Sequence, residues 1–247
     1  MEAGKNTTTG GDNTFFGTEA GEENTTGYDN TFIGEEAGTN TTTGYENTFI
    51  GEDAGFSNTT GYKNTFVGNE AGISSGTGYR NTGIGDESLS DVEIGHHNTG
   101  LGDSAGIDVN RGIYNTFVGA ASGVATEYAD YNTFIGARAG WDNNRTNSLT
   151  NANRNTYVGF ETGYTNREGE DNVGMGAYSD FDNNVRSRTT FIGAFATPSN
   201  NDVIMMGYST FNDGQYSVLI GNESDNRGSY VVGIGHSHDI ESTATYS

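Results

Sequence analysis

The apolar positions of this chain come in short blocks, not in a helical period. A block of Asn-Thr-Phe-Ile-Gly or a close variant begins at Asn13, Asn30, Asn47, Asn64, Asn81, Asn98, Asn115 and Asn132, always 17 residues after the last. After one longer step it resumes at Asn155, Asn172 and Thr189, then shortens to a 14-residue step at Val203, Ser217 and Val231. Three or four strand-forming residues bounded by Gly, Asn and Thr predict a short strand and a turn. A fixed short period of that kind predicts a solenoid, each coil stacking on the one before.

Read by column, the block divides into roles. The motif Gly is present in all fourteen copies, from Gly17 to Gly235. A position that accepts only Gly needs positive φ or close backbone approach, so it predicts a tight corner. An aliphatic column precedes it (Ile33, Ile50, Val67, Ile84 and equivalents), and Thr31, Thr48 and Thr65 lie two residues earlier, on the same face of a strand. In the 14-residue coils that Thr becomes Ile204, Val218 and Val232, which reads as a column pointing into the coil. A small column (Ala20, Ala37, Ala54, Ala71) is then the opposite wall, and the three extra residues of the longer coils fall in a polar return loop.

On that reading the remaining column points outward: Phe15, Phe32, Phe49, Phe66, Phe117, Phe134, Tyr157, Phe191, Met205 and Leu219. An exposed aromatic stripe would forgo roughly 1.5–3 kcal/mol of burial per ring and invite aggregation. The expectation is therefore a bundle of identical chains around a central axis, with these residues as its inter-chain core. Gly83, Gly100, Gly174 and Gly233 interrupt the column, where closer chains or a bound ion or water would be needed.

Composition adjusts this picture modestly. Hydrophobic residues are 32% of 247, which a thin solenoid needs no more than, and the absence of Cys removes disulfide and thiolate chemistry. Acids outnumber bases 33 to 11, a formal charge of −22, which argues against nucleic acid and anionic membrane as partners. No stretch is apolar enough for a spanning helix, so no direct membrane insertion is expected. Both ends read as cuts through a longer repeat.

The segment Tyr216-Ser217-Val218-Leu219-Ile220-Gly221-Asn222-Glu223-Ser224, followed by Tyr230-Val231-Val232-Gly233-Ile234-Gly235, resembles the head repeats of YadA-like trimeric autotransporter adhesins. The Asn-Thr-Phe-Ile-Gly blocks are also similar to repeats of phage tail fibres and related bacterial surface fibres. The resemblance implies a left-handed parallel β-roll, three chains around one axis, and an extracellular setting on a cell surface or virion. Residues 13–200 keep the same columns but depart from it in their 17-residue period and in carrying Phe where the family usually has a small residue.

Several constellations invite chemistry. Residues 141–154 are the longest departure from the period and hold the sole Trp; Trp141, Asn143, Arg145, Asn151 and Arg154 are the candidate receptor contacts, since insertions in solenoids map to loops on one face. The acidic column Glu19, Glu36, Asp53, Glu70 and Glu87 could attract Ca²⁺, although the calcium-binding nonapeptide is missing. His236 and His238 from three chains could hold an axial transition metal. His96 and His97 read as a solvated loop. No Ser-His-Asp set, paired-carboxylate cleft or phosphate loop stands out, so no enzyme is expected.

The sequence thus predicts an all-β, left-handed parallel β-roll (β-solenoid) of about fourteen coils, homotrimeric and about 65 Å long at the strand spacing. Residues 1–200 form the 17-residue coils with the insertion at 141–154, and residues 201–247 the 14-residue coils. The expected role is a trimeric adhesin or fibre segment presenting a multivalent surface to a glycan or protein receptor. The alternatives are a passive shaft of a phage tail fibre and an ice-binding solenoid, the last disfavoured if Thr points inward.

Overall fold

The computed structural model describes residues 2–145 and 152–241. They form an all-β solenoid of about thirteen turns, with no helix among the described residues. Each block supplies one short strand, from Thr14–Phe16 to Val232–Ile234, and these stack into a single 14-stranded sheet. Every pairing is parallel and joins equivalent residues, as in Thr31 to Thr48, Phe32 to Phe49 and Ile33 to Ile50. A second, four-stranded sheet (Thr197–Pro198, Phe211–Asn212, Asp225–Asn226, Asp239–Ile240) accompanies the coils around and after the change to the shorter step.

The facing of the columns is the reverse of the expectation. Phe32, Phe49, Phe66, Phe117, Phe134, Tyr157, Phe191, Met205 and Leu219 are fully buried inside their own coil, with Phe15 partly buried at the first turn. They are therefore a core within one chain, not an inter-chain one. The rings stack face to face along the rod: Phe32 and Phe49 are 4.8 Å apart at 5°, and Phe49 and Phe66 5.3 Å apart at 17°. One aromatic ring per coil fills a core this narrow, and the strand spacing of ~4.8 Å is close to a stacking distance.

The second Gly of each coil makes room for the ring. Gly38 has φ +61, and a Cβ there would lie 2.7 Å from the Phe32 ring. The motif Gly serves the stack itself: Gly34 has φ +143, and a Cβ would meet the carbonyl oxygen of Gly51 at 2.2 Å.

The interruptions of the Phe column are filled by side chains of the same chain. Leu89 stands where other coils have the second Gly, keeps the left-handed backbone (φ 51), and is fully buried beside Gly83 and Gly100. Near Gly174 the rings of Phe181 and Phe191 meet edge to face at 4.9 Å. At Gly233 the Cδ1 of Ile240 occupies the space a Cβ would need.

A buried asparagine ladder runs beside the aromatic one, and the sequence reading assigned it no facing. The backbone N–H of Asn47 donates to Asn30 Oδ1 (3.0 Å), and Asn47 Nδ2 donates to the carbonyl of Gly61 in its own coil (2.8 Å). The pattern repeats coil after coil, bridges the long step from Asn132 to Asn155 at 2.9 Å, and ends where Thr189 donates to Asn172 at 3.0 Å. Each side chain thereby satisfies a backbone donor and a backbone acceptor that the corner leaves unpaired.

Candidate binding surfaces

With Phe inside, the Thr and aliphatic columns face out. The aliphatic column is partly exposed along its length, with Ile84 40%, Leu101 46%, Met175 43% and Ile234 71% exposed, while Ile33, Val67, Val118, Val158 and Ile192 are more covered. The Thr column beside it turns apolar at Ile204 and Val232, both exposed. One side of the 14-stranded sheet is thus a ladder of Ile, Val, Leu and Met flanked by Thr. It is an apolar stripe on an otherwise polar, acidic chain.

The acidic column lies at the corner just after the motif Gly, on left-handed backbone, as at Glu36 (φ 56) and Asp53 (φ 55). Desolvation, then Asp53 and Glu19 on adjacent coils, pushes the Glu36 carboxyl up from its ordinary range. Further along the rod the corner becomes aromatic: Phe160, Tyr178, Phe195 and Tyr208 are exposed and in ring contact, Tyr178 stacking on Phe195 at 5.3 Å.

A second exterior stack was legible in the sequence as Tyr recurring every 17 residues, but was not singled out there. Tyr28, Tyr45, Tyr62 and Tyr79 stack at 4.8–5.0 Å and continue onto His96 at 4.5 Å. His96 Nδ1 lies 2.9 Å from His97 Nδ1, and His97 stacks on Tyr114. The two histidines thus hand the stack from one column to its neighbour; they are not a free loop pair. Burial, and then His97, hold the His96 imidazole below its ordinary range.

The described residues of the insertion do not lie in one patch. Trp141 stacks on Tyr164 at 5.9 Å and 14°, with the Arg138 guanidinium 5.7 Å from its ring. Arg145 pairs with Asp142 at 2.8 Å and is largely exposed. Asn143 is fully buried: its Nδ2 donates to the Ala152 carbonyl (3.0 Å), and its Oδ1 accepts from Asn166 Nδ2 (3.1 Å), so it is a core residue and not a receptor contact. Arg154 lies at the coil corner, paired with Asp171 (2.6 Å) and Glu170 (2.8 Å), and holds the Asp171 carboxyl below its usual range. Asn151 lies outside the described residues.

What the structure does assemble around Trp141 and Arg145 is a groove of about 520 Å³. It is lined by Ser90, Asp91, Ile107, Asp108, Val124, Ala125 and Asp142 as well. Burial, then Glu127 and Asp91, push the Asp108 carboxyl up to about 6.

His236 and His238 are both exposed, and His236 Nε2 lies 3.9 Å from Glu223 Oε2. Among the described residues no group of three or more His, Cys, Asp or Glu is arranged to hold a metal ion within one chain. No helix of the described residues is long and apolar enough to cross a membrane. No family model matches the chain, no curated protein matches it, and no solved structure matches it.

Proposed function

We propose that the chain is a rod segment of an extracellular homotrimeric adhesin or attachment fibre, its coils left-handed as the resemblance to YadA-like heads implies. The observation that carries this is the outward ladder of Ile, Val, Leu and Met. Burying such a stripe against two identical stripes removes it from water without a new sequence, because the ladder repeats coil by coil. The trimer axis then runs along residues such as Ile50, Ile84, Leu101 and Ile135, in place of the Phe column. Three rods side by side repeat every outward loop threefold, so weak receptor contacts add into avidity. The formal charge of −22 per chain keeps separate rods apart.

Sedimentation equilibrium tests the reading. The proposal expects three times the 26.2 kDa chain mass. It also expects Ile50→Asp with Ile135→Asp to give a folded, monomeric solenoid, since those side chains leave the coil core untouched. A wild-type chain that sediments as a folded monomer would sink it.

The outward Thr column favours a second reading, ice binding by the Thr-x-Ile face, which the inward expectation had set aside. The two readings compete for one face. Ice-growth inhibition by the monomeric chain supports the second; a trimer without such inhibition supports the first.

A further inference from the structure

Four successive coils build the groove from the pairs Ser90-Asp91, Ile107-Asp108, Val124-Ala125 and Trp141-Asp142. Parallel bridges tie Asp91 to Asp108 and Asp108 to Ala125, so the floor is rigid backbone. Three steps at ~4.8 Å make it about 14 Å long. Ala125 stands where its neighbours along the rod carry carboxylates, and the recess opens over it.

The two ends differ. At one, Asp142 is closed by Arg145 and Arg167, each at 2.8 Å. At the other, Asp91 and Asp108 are half-buried on adjacent coils, and neither carboxylate has a hydrogen-bond or ion-pair partner among the described residues. Between the ends the floor offers only Ile107, Val124 and Ala125.

We propose that this groove is a binding site for a lysine side chain of a partner protein, its alkyl stem lying over Ile107, Val124 and Ala125 and its ammonium between Asp91 and Asp108. Two desolvated carboxylates on adjacent coils repel each other, and a cation between them relieves both costs. A primary ammonium has three donors and can serve the pair together. Its stem buries apolar floor while the head stays polar. Burial raises both carboxyls, with Glu93 and Glu127 adding to the negative field at Asp91. A saccharide would find its polar partners at the two ends, with only Ile107, Val124 and Ala125 between them, a spacing that suits an alkyl stem with a charged head better. A divalent ion would need a third protein ligand, and the groove has no such set.

The assignment rests on this face being part of an attachment surface. Trp141 is the sole tryptophan, so its indole N–H resonance reports on the groove alone. The experiment titrates the full chain with Nα-acetyl-lysine methylamide, with its Nε-acetylated counterpart and with glucosamine, following that resonance. The expected result is a saturable shift with the free lysine amine only, weakened at least tenfold by Asp91→Asn and by Asp108→Asn and unchanged by Thr42→Asp. Silence toward the lysine derivative, an equal response to the acetylated form, or a response to glucosamine alone overturns the assignment, the last in favour of a glycan. A monomeric chain that still binds removes the trimer reading and leaves this one; a trimer that does not bind does the reverse.

Discussion

Gly38 sits directly against the ring of Phe32: a Cβ on the glycine would lie 2.7 Å from the ring, and its φ is +61. Gly38→Ala therefore combines left-handed strain with a clash in a core that cannot widen. The expected loss is about 1–3 kcal/mol, read as a lower denaturation midpoint. Gly11→Ala, where nothing lies within 4 Å of the added Cβ, is the control and should change little.

The asparagine ladder makes a comparable claim on polar groups. Asn64 Oδ1 accepts from the Asn81 backbone N–H at 2.9 Å, and its Nδ2 donates to the Gly78 carbonyl at 2.8 Å. Asn64→Leu strands both backbone partners in the core, at about 1–3 kcal/mol each. Chemical denaturation should show that loss, while Thr65→Val, on the outward face, should cost far less.

Tyr157 departs from the ladder in the other direction. Its hydroxyl is fully buried and makes no well-formed hydrogen bond, the side chains of Asn172 and Asn166 offering only poor geometry, and burial pushes its pKa well up. Tyr157→Phe removes a poorly satisfied polar group and restores the ring seen in the other coils. The melting temperature should rise, by a gain of about 1 kcal/mol; a fall would show that the hydroxyl is paired in solution.

Acid should stabilise this protein down to about pH 5. Asp108 and Asp180 are both pushed up to about 6, chiefly by burial, against an unfolded value near ~3.9. Between those values the folded chain binds more protons than the unfolded one, so stability falls as pH rises through the folded pKa. Relief of self-repulsion on acidification acts in the same direction. Thermal melts from pH 7 to pH 5 should climb, and Asp108→Asn should raise the pH 7 value and flatten the slope.

Much of the architecture was legible because a solenoid writes each structural role as a column. The motif Gly announced the corner, and the 17-residue step announced the stack. The facing was not legible from alternation alone, since a three-residue strand presents one column to one side and two to the other, and Thr-x-Ile and Phe are both plausible fillings. Ile204 and Val232 in place of Thr were read as core, whereas they extend an apolar exterior. The internal evidence that distinguishes the two was present: where Phe gives way to Gly83, the second Gly of the same coil gives way to Leu89, whose side chain also covers Gly100 in the next coil, a compensation that shared core space explains. The groove was half legible. Trp141 and Arg145 stood out as an insertion, but Asp91 and Asp108 come from coils 34 to 51 residues earlier and join them only through stacking.

The asparagine ladder crosses the step from Asn132 to Asn155 as readily as any other, although that step spans 23 residues where its neighbours span 17. What lies between two ladder positions does not alter how far apart they stand. The rod therefore measures its reach in coils and not in residues. An insertion can grow or be replaced at such a step while every coil beyond it keeps its place in the stack. That frees one part of the chain to vary without redrawing the coils that carry it.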